Sequence, residues 1–114
     1  MTHSMNLQDR PFHMIACGKK TVELRLLDEK RKLISIGDTI IFKNATDENA
    51  TLTCTVINLY VFASFDELYR TLPLDLCGYM PEELANASAK DMEQYYPAPE
   101  QARYGVVGIE IALI

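Results

Sequence analysis

There is no tryptophan in this 114-residue chain, and cysteine (3), histidine (2), glycine (5) and proline (5) are all scarce. The three cysteines, Cys17, Cys54 and Cys77, are widely spaced, form no C-x-x-C and have only His3 and His13 as company, which argues against a disulfide framework and a zinc site. So little glycine and proline excludes collagen and low-complexity disorder. No apolar run approaches the ~20 residues that a membrane-crossing helix needs. The opening Met1-Thr2-His3-Ser4-Met5-Asn6 also lacks the apolar stretch of a secretory signal. A cytoplasmic globular protein with reduced cysteines is the expectation. Nucleophile elbow, phosphate loop and dinucleotide fingerprint are missing too, which disfavours familiar hydrolase triads, nucleotide kinases and a dinucleotide cofactor; no cofactor is expected.

What is present suits one domain spanning residues 1–114: 48% of residues are hydrophobic and 24% charged, at a length close to the commonest domain size. The net charge of −5 is unevenly divided. Residues 1–43 hold eight Lys/Arg against five Asp/Glu, whereas residues 44–114 hold three against eleven. A protein gripping duplex DNA through many phosphates would be basic overall, so tight duplex binding is disfavoured. A local anion or single-strand site in the basic first third is compatible with these numbers. Lys30-Arg31-Lys32 is either its exposed part or a solvated turn.

Periodicity supplies a coarse map. His3 to Leu7 reads as a short strand, and Pro11 to Gly18 as a short helix with Asp9 or Arg10 near its cap, buried through Phe12 and Ile15. Strict alternation from Thr21 to Leu26 marks a half-buried strand. After a polar connection, Thr39 to Lys43 forms a second strand, Asn44 to Asn49 a turn, and the β-branched and aromatic run from Thr51 to Phe62 a long strand able to bend round a small barrel. Ser64 and Glu67 make a capping box for a helix to about Leu72. Pro73 to Gly78 is a break, and short helices follow over Pro81 to Ala87 and from Ser88 towards Tyr96, with Pro97 and Pro99 as terminators and one more turn over Glu100 to Tyr104. Val106 to Leu113 closes the chain as a strand in which Gly108 suggests a bulge. Strands at both ends with helices between them argue for an α+β fold with a mostly antiparallel, barrel-like sheet and helices packed beside it.

The densest chemistry lies in Gly18-Lys19-Lys20-Thr21-Val22-Glu23-Leu24-Arg25. Glu23 and Arg25, two apart on a strand, project from one face about 7 Å apart, with Lys20 at the strand's lip. From periodicity alone this is an exposed face with a surface ion pair. Covered by another element, the same residues become a polar pocket in which Arg25 offers a planar fork to phosphate, carboxylate or a base edge and Glu23 accepts from amino groups. Lys20 beside a carboxylate is also a candidate base or nucleophile. Tyr95, Tyr96 and Tyr104 could stack on a planar ring, core or rim packing being their commoner fate.

At this octapeptide the sequence resembles the ASCH domain, a PUA-like family whose motif G-x-K-x-x-E-x-R is matched by Gly18, Lys20, Glu23 and Arg25. Pro11-Phe12, Leu26 to Arg31, Gly37-Asp38, Phe65 to Leu68 and Tyr104 to Ile109 extend the likeness over most of the chain. The resemblance implies a small β-barrel with helices beside it, the motif lining a cleft, and binding of RNA or a nucleoside-like ligand. One branch of ASCH-like proteins is similar to amidohydrolases that remove acetyl from acetylcytidine with a Lys, a Thr three residues later and a distant Glu. Lys20 matches the first, Glu23 stands in place of the Thr, and Glu82 and Glu83 lie in the region of the third. Other ASCH-like proteins cut RNA. The leading expectation is therefore a module in which Lys20, Glu23 and Arg25, with Tyr95 or Tyr104 stacking, bind short single-stranded RNA or a modified nucleoside. An amidohydrolase acting on acetylated nucleosides, with Lys20 as base or nucleophile and Glu23 orienting, or a ribonuclease is the alternative, and a protein-interaction module with a vestigial cleft the third.

Overall fold

The alternation of His3, Met5 and Leu7 with exposed polar partners shapes the first strand, β1 (Thr2–Leu7), in a computed structural model that describes residues 1–114. Helix α1 (Asp9–Ala16) buries Phe12, Met14 and Ile15, with Pro11 in its first turn, where a missing N–H is harmless. Gly18, at φ +82°, then reverses the chain into β2 (Val22–Leu26). A single 3₁₀ turn over Arg31–Leu33 leads to β3 (Thr39–Asn44) and β4 (Asp47–Phe62). The expected turn over Asn44 to Asn49 is shorter than its polar composition suggests, and β4 begins at Asp47. Asn44 tightens it, with a buried side chain that donates to Asp9 Oδ1 (2.9 Å) and accepts from Thr46 N (2.9 Å).

Ser64 caps α2 (Phe65–Thr71) as expected, its Oγ accepting from Glu67 N at 3.3 Å. Short 3₁₀ turns occupy Leu74–Leu76, Pro81–Asn86 and Ala89–Gln94. Pro97 and Pro99 do not merely end the preceding turn: they open α3 (Ala98–Tyr104), whose first-turn N–H groups have no helical partner to lose. Strand β5 (Val106–Leu113) completes a single sheet in the order β1-β3-β4-β5-β2, with β1 parallel to β3 and the other three pairs antiparallel.

The bulge expected at Gly108 lies elsewhere. The register slips in β4 between Val56 and Asn58, while Gly108 pairs regularly with Tyr60 and Leu24. Its place is set by packing: a Cβ would stand 2.7 Å from Leu72 Cδ1 and 3.2 Å from Val22 Cγ1, so a larger residue there requires the Leu72 side chain to move.

Alternation along β2 and β5 divides the interior. Val22, Leu24, Leu26 and Val106 face a core with Phe65, Leu68, Cys77 and Met92. Val107, Ile109 and Ile111 face a second core with Met5, Phe12, Ile40 and Phe42. Glu23 and Arg25, opposite Ile109 and Val107, project on the side of that second core. The sheet curls until its two edge strands approach across an open seam, which Arg25 Nη2 bridges by donating to Asn6 O at 2.7 Å. No helix is long and apolar enough to cross a membrane.

Candidate functional site

The left-handed turn at Gly18 carries the chain from α1 back along itself, so that Lys20 N donates to Met14 O at 3.1 Å. Thr21 N donates to Leu76 O (2.9 Å), which clamps the start of β2 between α1 and the segment after α2. Lys20 is thereby tucked inward and is only 8% exposed. Glu23 follows at 4%, so the face expected to be exposed is covered. Periodicity could not reveal this, because the cover comes from residues 77–96, far away in sequence.

Glu23 receives two cations. Lys20 Nζ lies 2.7 Å from its Oε1, and Arg25 Nε 2.7 Å from its Oε2. Burial works to raise the Glu23 pKa, but Lys20 and then Arg25 outweigh it, and the carboxyl stays ionised below its ordinary range. The Arg25 guanidinium, held charged by Glu23 against its own burial, also anchors to Asn6 O. Lys20 still has N–H bonds to spare, so the cluster offers donors to an incoming oxygen.

These side chains line a cleft of about 490 Å³ at the seam between β1 and β2, walled on one side by α1 and on the other by residues 77–96. That volume is in the range of small-molecule sites. Gly78, at φ +109°, lies flat on the Lys20 stem, where a Cβ would sit 3.3 Å from Lys20 Cδ. Arg10 of α1 pairs with Glu83 across the cleft wall, and Glu83 Oε1 also accepts from Met80 N at 2.8 Å. No group of three or more His, Cys, Asp or Glu residues comes together in a way that could hold a metal ion.

Of the other expected residues, Tyr95 reaches the cleft and is 58% exposed at its rim. Tyr96 also lines it and stacks on Phe65 (centroids 6.1 Å apart, planes at 16°). Tyr104 does not come to the site. Lying at the end of α3, it packs against the core that contains Phe65 and Leu68, with the Arg103 guanidinium over its ring at 5.0 Å. Lys30, Arg31 and Lys32 stay outside as well: Lys30 Nζ donates to Ser4 O (2.8 Å) and Arg31 pairs with Asp28 (3.0 Å). Sequence reading passed over Tyr69, Tyr79 and Asp91, which line the cleft together. Tyr69, one turn after Phe65 on a capped helix, was within reach of helical spacing, but nothing local marks Tyr79.

The family model for the ASCH domain matches residues 5–114. The chain belongs to the ASCH domain family. Its G-x-K-x-x-E-x-R motif is thus seated in a folded ASCH cleft. Among solved structures, the crystal structure of the protein PH0355 is 34% identical, with a TM-score of 0.82 and both chains covered in full. The solution structure of PF0455 from Pyrococcus furiosus is 30% identical, with a TM-score of 0.73, covering 100% of this chain and 98% of that one. A variant of the ASCH protein of Zymomonas mobilis shares the fold at 12% identity and a TM-score of 0.67, over 96% of this chain and 66% of that one. No curated protein matches the chain.

Proposed function

We propose that this ASCH domain binds a single nucleoside-like unit, free and modified or at the end of a short single-stranded RNA, in the seam cleft. One observation carries the reading: Lys20 and Glu23 are buried and Arg25 largely so, both cations paired to the one carboxylate, and yet all three form the wall of a cleft large enough for such a unit. Burying three charges is a poor way to stabilise a fold, because apolar residues of the same volume do as well or better. A set that is costly to bury but presents spare donors to a cavity is suited to a ligand with anionic or carbonyl oxygens. Tyr95 at the rim supplies an aromatic face on which a base can stack. The chain's net charge of −5 limits the phosphate contacts and favours a short ligand.

Hydrolysis of acetylated nucleosides draws less support from this geometry. Glu82 is not in the cleft wall, Glu83 is engaged by Arg10, and Gly78 occupies the space beside Lys20, so Glu23 is the one carboxylate at the Lys20 ammonium. The experiment that tests the reading is a backbone amide NMR titration with nucleosides, including acetylcytidine, and one short single-stranded RNA. Saturable shifts centred on Lys20, Glu23 and Arg25 are expected, and Lys20→Met should abolish them with the amide spectrum otherwise folded. Release of cytidine from acetylcytidine would move the reading to enzyme. Undisturbed amides at millimolar ligand would refute it.

A further inference from the structure

Tyr69 and Tyr79 stand in the cleft wall with their hydroxyls 2.7 Å apart, and Tyr79 Oη lies 2.7 Å from Asp91 Oδ2. The direction of this chain follows from proton counting. A carboxylate accepts only, and Asp91 Oδ2 also accepts from Ser88 N at 3.2 Å. Tyr79 has one hydroxyl proton and must donate it to Asp91, so its oxygen turns as an acceptor to Tyr69. The one proton of Tyr69 is then committed to Tyr79. What Tyr69 shows the cleft is an oxygen lone pair and no hydrogen.

The arrangement is stiff. Tyr69 packs edge-on against Tyr79 (centroids 5.9 Å, planes at 83°) and against the fully buried Phe65 (6.5 Å, 85°). Burial lifts the Tyr69 hydroxyl to a pKa of about 12 and raises that of Tyr79 as well, so both protons stay in place at neutral pH. Elsewhere in the cleft, Lys20 and Arg25 offer donors only. These three lining residues therefore have a fixed hydrogen-bond polarity, cationic donors in one part of the wall and a pure acceptor in another.

We infer that Tyr69, oriented through Tyr79 by Asp91, is a specificity-determining residue that selects ligands presenting an N–H donor to it, an exocyclic amino group in place of a carbonyl. This rests on the nucleoside reading above and narrows it to amino-bearing bases. A carbonyl at that point would set two lone pairs against each other and leave a half-buried acceptor without a partner. Sites built round one such hydrogen bond reject the mismatched analogue strongly.

The test uses two matched pairs, cytidine with uridine and adenosine with inosine, titrated into the wild-type protein and two variants. For any pair that binds, the amino member is expected to bind about tenfold or more tightly. Tyr69→Phe removes the acceptor and should bring that ratio close to one. Tyr79→Phe frees the Tyr69 hydroxyl to donate as well as accept, so the carbonyl member should gain affinity while the amino member keeps its own, a gain that loss of packing alone does not produce. Equal affinities within a bound pair, or a ratio unaltered in both variants while their amide spectra stay folded, would overturn the selection rule and leave the nucleoside site standing. Failure of all four nucleosides to bind at millimolar concentration would overturn the site and the rule together.

Discussion

Removing Glu23 tests whether the cluster is there for the fold or for the cleft. In Glu23→Ala, Lys20 and Arg25 lose a partner held 2.7 Å from each, in surroundings where they are nearly excluded from water. Breaking a buried pair in this way typically costs about 3–5 kcal/mol. Arg25 keeps its bond to Asn6 O and Lys20 borders the cleft, so the lower half of that range is expected. Against a typical domain stability of about 5–15 kcal/mol, this is a large fraction, read as a shifted urea midpoint with an unchanged slope. The pH dependence has a definite sign. Lys20 and Arg25 hold the Glu23 pKa below its ordinary 4.5, so the wild-type advantage is complete above that pH and fades as pH falls through the lowered folded-state value. The decisive comparison is the triple variant Lys20→Met, Glu23→Leu, Arg25→Met, which replaces every charge at once. It loses the Asn6 bond but leaves no orphaned ion, and is expected to lie within about 1.5 kcal/mol of wild type, well above Glu23→Ala. A triple variant as unstable as Glu23→Ala would show the charges to be a structural clamp and refute the reasoning that they persist for a ligand.

Other consequences are open to measurement. Gly105 combines φ +75° with a Cβ position 3.1 Å from the rigid Phe62 carbonyl oxygen, whereas Gly37, at φ +93°, faces open space. Gly105→Ala should therefore lose about 1–3 kcal/mol in urea denaturation, and distinctly more than Gly37→Ala; equal losses would discount the carbonyl contact. Asp38, which accepts from His3 Nε2 (2.8 Å) and Ser35 N (2.9 Å), has its pKa lowered to about 2 from 3.8. The stability it supplies is complete above about pH 4 and lost towards pH 2, so the melting-temperature gap between wild type and Asp38→Asn should close over that window; a constant gap would contradict the linkage. Arg10 and Glu83 are both substantially exposed, so Arg10→Ala should change stability by less than about 1 kcal/mol while speeding nucleoside exchange in NMR line shapes. Unaltered exchange would mean that the pair does not restrain the cleft.

Much of the fold was legible because it depends on local chemistry. The Ser64 cap, the Gly18 turn and the alternation from Thr21 to Leu26 each specify structure within a few residues, and all three stand where expected. What escaped was set by contacts distant in sequence. Gly108 looked like a bulge, but its meaning lies in Leu72, thirty-six residues earlier, which packs into the space above it. Likewise the motif face looked solvated because its cover arrives from residues 77–96, in 3₁₀ turns with little periodicity of their own. Tyr104 was expected near the ligand on the strength of being a tyrosine close to others, and sequence proximity says nothing about which side of α3 it occupies.

The position of the cleft follows from the sheet order. A sheet running β1-β3-β4-β5-β2 has β1 and β2 as its edges, and edges leave backbone groups unpaired. Here the free carbonyls of β1 are met by side chains: Asn6 O accepts from Arg25 and Ser4 O from Lys30. Closing the seam with backbone hydrogen bonds would have finished a barrel and removed the cavity. Spanning it with a guanidinium satisfies the edge and still leaves room beside Glu23 and Lys20 for something to enter. The motif thus has two tasks in one stretch of strand, since the arginine that holds the edges together shares its carboxylate with the lysine that faces the cleft. Gly78→Ala, which forces an alanine to φ +109° with its Cβ 3.3 Å from Lys20 Cδ, disturbs Lys20 and its cover at a distance in sequence from the seam, and so separates the two tasks. Gly78→Ala should weaken nucleoside binding while Arg25 still bridges to Asn6, visible as an unshifted Asn6 amide region, and concerted loss of both would mean that seam and site are a single unit.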